Sequence, residues 1–282
     1  MNIFETLWFY LQFQFVQYAL VVAILTAICA SLIGVPVVLK RYSFIGFGLS
    51  NVAFMVTALA IALNLENQII LVMPLTVLAS ILLLGFGRRG KVKGDASIAM
   101  LSLGALAIGY FIINTFAVRG NVTADIAGSL FGATSILTLQ LSDVLLSLGV
   151  TLVVATVFIF LYKRIFAVTF DANFMQATGS RPLVYEILIA TVVGIVVALS
   201  MQLVGALLTS ALIIFPTLSA MRIFRTYKSV TIASVIIAVI CALFGIFLAI
   251  IMETPVGVTI IIFNLLVFAI LCLVSYMKSL RT

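Results

Sequence analysis

Long apolar runs separated by short connections recur along the chain, and they restrict its fold more than any other feature. The runs have about 17 to 27 residues, enough to cross the hydrocarbon core of a bilayer. They lie at 13–39, 43–63, 68–87, 97–118, 144–162, 183–203, 205–221, 230–252 and 258–277. Hydrophobic residues make up 65% of the 282 residues and charged residues 8%, unlike a soluble globular protein. The sequence therefore predicts an all-α, polytopic transmembrane helical bundle of about nine spans plus one re-entrant or interfacial segment.

The basic residues predict the orientation of this bundle. Clusters of Lys and Arg lie in alternate connections, at 40–41, 88–93, 163–181, 222–228 and 278–281. With nine crossings, fourteen of the fifteen Lys and Arg fall on one side, which the positive-inside rule identifies as the cytoplasm. We therefore expect the N-terminus outside and the C-terminus inside. The net charge of +7 follows from this topology and predicts no nucleic-acid partner.

Two segments do not fit the simple alternation. Residues 1–12 carry the single Trp among other aromatic residues, which favours an interfacial helix at the outer surface over a cleavable signal peptide. Residues 122–138 have both ends on the predicted outer side and are interrupted by Gly128 and Gly132. We expect a re-entrant half-helix there, because a tenth full crossing would place Lys163 and Arg164 outside.

Several kinds of chemistry are excluded or disfavoured. The chain has no histidine, and its three cysteines lie singly in apolar runs, so we predict no disulfide, no metal centre and no cofactor. No GxxxxGK[ST] phosphate loop occurs, and the longest cytoplasmic connection, at about 163–182, is too short for a nucleotide-binding domain. A membrane enzyme is disfavoured because no acid–base cluster is evident. Energy for transport must come from a partner or a gradient.

Two motifs border the cytoplasm. In TFDANFMQATG, residues 169–179, Asp171 can start a short helix and Gly179 can end it, so an exposed helix is predicted beneath the membrane. In QLVGALLTSALIIFPTLSAMRIFRTYKS, residues 202–229, a glycine precedes a span with a small-residue face and Pro216 near its inner end. A basic, aromatic loop follows.

Six segments in this order resemble the integral-membrane permease subunits of bacterial ABC importers for zinc, manganese and iron. They are GVPVVLKRYSFIG (34–46), SIAMLSLGALAIG (97–109), SLFGATSILT (129–138), FDANFMQATG (170–179), VGALLTSALIIFPTLSAMRI (204–223) and TPVGVTIII (254–262). The resemblance implies a single permease domain over 1–282 in the bacterial cell (inner) membrane. It also implies a homodimer, a cytoplasmic ABC ATPase subunit and an extracellular substrate-binding lipoprotein.

The resemblance further implies that residues 222–229 form the coupling helix that docks on the ATPase. The residues expected to couple are Arg222, Phe224, Arg225, Tyr227 and Lys228. Topology alone also accounts for cations at this position, because the positive-inside rule requires them there.

The segment RYSFIGFGLSNVAF, residues 41–54, departs from the family. Its members usually read RR-M-S-x-x-G-D-A-x-x-H-A, with an acid and a histidine on one helical face that can hold a divalent cation in transit. Phe47 and Asn51 stand in those two positions here, with Ser50 beside them. We expect this substrate pathway to be wider and apolar, and suited to an organic molecule or a chelated metal. Alternatively, the Asn51 amide only bonds neighbouring helices together.

Other classes of function remain open beside the ABC importer. An ion-driven secondary transporter would ordinarily carry an intramembrane ionisable residue for coupling, and none is evident. A non-transporting scaffold of the same fold is a further alternative. It would differ from an importer in having no ATPase and no binding lipoprotein as partners.

Overall fold

The computed structural model describes residues 3–42, 44–65, 67–86, 95–116 and 139–279. In these ranges the chain forms twelve helices and no strand. The helices are α1 Ile3–Leu11, α2 Gln14–Leu39, α3 Ile45–Ala62, α4 Ile69–Phe86, α5 Asp95–Phe116, α6 Leu141–Phe160, α7 Tyr162–Phe170, α8 Ala172–Ala177, α9 Pro182–Val204, α10 Ala206–Ile223, α11 Tyr227–Met252 and α12 Val256–Ser279. The predicted re-entrant segment 122–138 lies outside the described residues.

Each of the nine predicted crossings corresponds to one long helix, so the all-α transmembrane fold is confirmed. Eight of the described helices are long and apolar enough to cross a membrane. The remaining long helix, α4, contributes a shorter apolar stretch over Ile69–Leu84. The segment 1–12 contains α1, whose Trp8 side chain is exposed. Its position at a membrane surface remains a prediction.

The helices form an inner and an outer group. More than half of the residues in the apolar stretches of α2, α3, α9 and α10 are buried, against about a third or less in α5, α6, α11 and α12. The inner helices therefore make the core, and the outer helices turn large apolar side chains such as Phe111, Leu152 and Phe160 outwards. Lipid tails can solvate such a surface, whereas water would not.

Small residues allow the helices to approach closely, as in other membrane bundles. A Cβ atom added at Gly194 of α9 would lie 2.7 Å from the Cα atom of Val77 on α4. One added at Gly245 of α11 would lie 2.8 Å from the Cα atom of Ile260 on α12. Neither contact leaves room for a side chain.

Two of the inner helices are joined by a single residue. Gly205 lies between α9 and α10 and has a φ angle of +95°, a conformation that residues with a Cβ rarely adopt. The Gly205 backbone N–H still donates to the Met201 carbonyl, at 3.1 Å.

Polar contacts bring the basic connections together at one end of the bundle. Lys40 Nζ lies 3.0 Å from Glu186 Oε1 and joins the end of α2 to the start of α9. The Arg164 guanidinium donates to Ser180 Oγ at 2.9 Å. We call this end, which carries residues 40–41, 163–164, 181 and 222–228, the basic side.

Candidate functional site

The residues predicted to line the substrate pathway lie in the first turns of α3. Ser50 and Asn51 are buried, and Phe47 is partly buried. Phe47 and Asn51 are four residues apart, so they share a face of the helix. Asn51 is six residues into α3, about 9 Å from its start on the basic side. Ser50 donates to the Gly46 carbonyl at 2.7 Å, so its hydroxyl is satisfied within its own helix.

The Asn51 amide crosses from α3 to α5. Its Nδ2 atom donates to Ser102 Oγ at 2.6 Å, and both side chains are buried. Close contacts flank this bond, because a Cβ atom at Gly48 would lie 2.7 Å from Ile98 Cγ2 and one at Gly109 would lie 2.9 Å from the Phe54 ring. The amide therefore lies in a narrow helix–helix interface.

Ser102 was not singled out from the sequence, although it lies in the segment SIAMLSLGALAIG. A serine inside an otherwise apolar run is the sequence signal that could have identified it. The partner of Ser102 depends on how α5 is rotated about its axis. The sequence does not predict that rotation, because α5 is apolar on nearly every face.

The described part of the chain lacks the ligands that a bare divalent metal ion prefers. It contains no group of three or more His, Cys, Asp or Glu side chains that could hold a metal ion. Glu186 is paired with Lys40, and Asp171 caps α8. Around Asn51 the described donors are hydroxyls and one neutral amide. Such groups hydrogen-bond well but do not neutralise a dehydrated divalent ion.

Residues 222–229 do not form a separate helix, so the expected secondary structure of the coupling segment was wrong. Arg222 lies in the last turn of α10, Phe224 has extended backbone, and Thr226 caps the start of α11. The Thr226 hydroxyl accepts a hydrogen bond from the Ser229 backbone N–H at 3.3 Å. A Thr at this position favours a new helix start over a continued helix, and this preference divides the segment.

The five residues predicted to couple differ in exposure. Arg222, Phe224, Arg225 and Lys228 are exposed, whereas Tyr227 is buried. The Tyr227 ring lies 5.3 Å from the rings of Tyr162 and Phe166 and 6.2 Å from that of Phe170, between ring centroids. We call these four residues the Tyr227 cluster. It attaches the 222–229 connection to α7, a link that sequence analysis missed.

The short helix predicted over residues 169–179 is confirmed as α8. The Asp171 carboxylate accepts hydrogen bonds from the backbone N–H groups of Asn173 and Phe174, at 3.0 and 2.9 Å. After the helix, Gly179 has a φ angle of +81°, and the Ser180 N–H donates to the Met175 carbonyl at 3.2 Å, as in a Schellman motif. Phe174 is 65% exposed. The basic side therefore presents an aromatic side chain on a firmly capped helix.

The Tyr227 cluster is continuous with this helix in sequence, because α8 follows α7 after Asp171 alone. The exposed residues of 222–229 and of α8 are thus linked through the aromatic contacts of α7.

Known proteins are similar to this chain over nearly its whole length. Residues 12–275 match the family model described as the ABC 3 transport family. The manganese import system permease protein ScaB of Streptococcus parasanguinis is 27% identical to this chain, over 92% of it and 90% of the relative. The high-affinity zinc uptake system membrane protein ZnuB of Haemophilus influenzae is 26% identical, over 88% and 94%.

A solved structure shows the same fold. It is that of PsaBC from Streptococcus pneumoniae in complex with Fab, with a TM-score of 0.81 and 25% identity. The alignment covers 95% of this chain and 94% of the other. The described bundle therefore has the architecture of that PsaBC chain along nearly its whole length.

Proposed function

The chain belongs to the ABC 3 transport family, and from this premise we propose that it is the membrane-spanning permease subunit of an ATP-binding-cassette importer. The observation that carries the proposal is the family match over residues 12–275 together with the full-length fold similarity to PsaBC. The similar proteins are named as membrane components of import systems. This is a multi-pass protein of the bacterial inner membrane, and we place its basic side in the cytoplasm.

The permease needs partners in this proposal. Its sequence holds no phosphate-binding loop, so hydrolysis must occur on a cytoplasmic ABC ATPase. An extracellular substrate-binding lipoprotein delivers the cargo, and two copies of the chain form a homodimer around the pathway. These assignments rest on the family.

The ATPase is proposed to dock on the exposed residues of the basic side. Phe224, Arg225 and Lys228 supply an aromatic ring and two cations, and Phe174 of α8 supplies a second exposed ring. Aromatic and Arg side chains are typical anchors of protein interfaces. The Tyr227 cluster would carry a displacement of the 222–229 connection to α8, because the Tyr227 ring packs on α7 and α8 follows α7 after Asp171 alone.

The cargo is proposed to be a metal that crosses with ligands of its own. Manganese and zinc are the metals in the names of the two relatives. At the positions of the family's acid and histidine, however, Phe47 contributes no charge and Asn51 already donates to Ser102. A bare divalent ion would lose its hydration there without compensation. A chelated metal keeps its ligands and needs only an apolar passage with a hydrogen-bonding amide.

Free manganese or zinc is the second candidate, favoured by the names of the relatives alone. For either cargo the test is ATP-driven uptake into proteoliposomes that contain the permease, its ATPase and its binding protein. Free manganese, free zinc and their complexes with a small organic chelator are supplied in parallel. Uptake of a complex without saturable uptake of the free ions is expected.

A gain-of-function variant sharpens this test. The double substitution Phe47→Asp with Asn51→His restores the family's ligand types, so we expect it to gain saturable binding of manganese or zinc. Asn114→Ala is the control, since the Asn114 amide is exposed and bonds to its own helix. Saturable uptake of free manganese by the unaltered complex, abolished by Asn51→Ala, would contradict the chelate proposal. Failure to take up any cargo and to stimulate the ATPase would contradict the permease proposal and favour a scaffold.

A further inference from the structure

A large groove opens on the basic side between α6, α7 and α11. Its volume is about 710 Å³. Leu32 of α2, Phe160 of α6 and Ile232 of α11 contribute to its apolar walls. Lys163, Arg164 and Lys228 also line it. The groove is separate from the pathway residues of α3.

The walls belong to the surface that faces the membrane. The Phe160 side chain is 84% exposed and that of Ile232 is 52% exposed, although both lie on apolar helices long enough to span a bilayer. Leu32 is seven residues from the end of α2, about 10 Å by the rise of a helix. The groove therefore extends from the membrane surface into the depth occupied by acyl chains.

The charges at its mouth are all of one sign. Lys163 and Arg164 lie in the first turn of α7 and Lys228 lies in the first turn of α11. No Asp or Glu lines the groove. In the part of the chain that the structure describes, neither lysine has an ion-pair partner. Arg164 is held in place by its bond to Ser180 and by the Tyr185 ring, whose centroid is 6.0 Å from its guanidinium carbon. Three cations beside an apolar groove are complementary to an anion that carries a hydrocarbon tail.

We propose that this groove binds an anionic phospholipid of the inner leaflet. The lipid phosphate lies between Lys163, Arg164 and Lys228, and one acyl chain runs over Leu32 between Phe160 and Ile232. The assignment to the inner leaflet rests on the proposed orientation, whereas binding itself does not depend on the cargo or on transport.

The groove lies beside the residues that connect to the proposed ATPase-docking surface, so a bound lipid would affect how the permease stimulates the ATPase. Lys163 follows Tyr162, and Lys228 follows Tyr227, two members of the Tyr227 cluster whose ring centroids are 5.3 Å apart. A phosphate bound to both lysines would hold the starts of α7 and α11 together. These are the two elements that connect to the proposed ATPase-docking residues, so the lipid should increase ATPase stimulation by the permease.

Lipid binding can be measured by native mass spectrometry of the purified permease with phosphatidylglycerol or phosphatidylcholine of identical acyl chains. We expect preferential retention of phosphatidylglycerol. The double substitution Lys163→Gln with Lys228→Gln should weaken it by about fivefold for each lysine. The matched control Arg222→Gln with Arg225→Gln removes two exposed cations of the same side outside the groove, and should change retention less than about twofold.

Two further experiments distinguish lipid binding in the groove from nonspecific attraction between the cations of the basic side and negatively charged lipids. Ile232→Trp fills the groove and keeps every cation, so it should also lose phosphatidylglycerol. The soluble headgroup sn-glycerol 3-phosphate, which lacks acyl chains, should not compete at lipid concentrations. Equal retention of both lipids, equal losses in the two double variants, or full competition by the headgroup would each overturn the proposal. Monodisperse gel filtration of every variant shows that it is folded. ATP-driven uptake by the unaltered complex tests the proposed function separately, so any of these results would leave that function standing if uptake is intact.

Discussion

At the scale of single residues, the Asn51–Ser102 hydrogen bond is the most informative contact in the bundle. It joins two helices at a buried place where neither group meets water. Interhelical hydrogen bonds in membranes contribute about 0.6 to 2 kcal/mol. We therefore expect Asn51→Ala and Ser102→Ala each to lower the thermal stability of the purified permease by that order of free energy.

The double variant tests whether the two side chains act on each other. Because one bond connects them, the free-energy losses of Asn51→Ala and Ser102→Ala should not add. Thermal unfolding in detergent measures all three variants, with Asn114→Ala as a control that should be nearly neutral. Strictly additive losses would show that the two side chains are not coupled, and would contradict a stabilising Asn51–Ser102 bond.

At this scale, sequence analysis identified Phe47 and Asn51 but not Ser102, the residue to which the Asn51 amide donates. Their spacing and the family pattern identify the two positions without any structure. Ser102 is 51 residues away, and α5 offers several small residues that the same amide could have met. The rotation of each helix is determined by packing, which the apolar pattern of the chain leaves open.

At the scale of helices and connections, the backbone conformation of Gly205 determines how α9 and α10 are joined. Gly205 has a φ angle of +95° and a ψ angle of 158°, a region that is nearly restricted to glycine. Gly205→Ala should therefore destabilise the permease by about 1 to 3 kcal/mol, measured by thermal unfolding. Gly149→Ala on α6, where an added Cβ meets nothing within 4 Å, is the control and should be neutral or slightly stabilising. Equal stability of the two variants would show that the junction tolerates a side chain.

The connection at 222–229 carries the prediction on coupling. Replacing Phe224 and Arg225 together with Ala should reduce binding and stimulation of the ATPase severalfold, because both side chains are exposed and belong to the proposed docking surface. The matched control is Arg181→Ala with Tyr276→Ala, which removes one exposed cation and one exposed ring elsewhere. Co-purification and ATP hydrolysis are the measurements. Unchanged values for both would place the docking site elsewhere, with α8 and its Phe174 as the first alternative.

Helix lengths were predictable because the bilayer sets the length of an apolar run. The division of 222–229 was not, since the positive-inside rule describes charge and not secondary structure. The Tyr227 cluster was also unpredictable, because it joins aromatic residues 65 positions apart. Only the packing of α7 against α11 brings those rings together.

At the scale of the whole molecule, the basic side determines which face of the membrane each connection meets. Single cysteines introduced at Val92 and Thr226, in a background without Cys29, Cys241 and Cys272, should be shielded from impermeant thiol reagents in intact cells. A cysteine introduced at Val122 should be labelled, because the positive-inside rule places it outside. Permeabilised cells are the control and should allow labelling at positions 92 and 226. Labelling of those two positions, with protection of 122, would reverse the orientation.

The single-residue junction at Gly205 also has a consequence for biosynthesis. The helices Pro182–Val204 and Ala206–Ile223 have no intervening loop that could wait in water while one of them enters the bilayer. The second helix carries Thr209, Ser210, Thr217 and Ser219, hydroxyl groups that disfavour insertion of an isolated segment. Its partner has a largely apolar sequence. During synthesis the two segments must therefore leave the translocon together, as one helical hairpin, with the more apolar segment drawing the more polar one into the lipid.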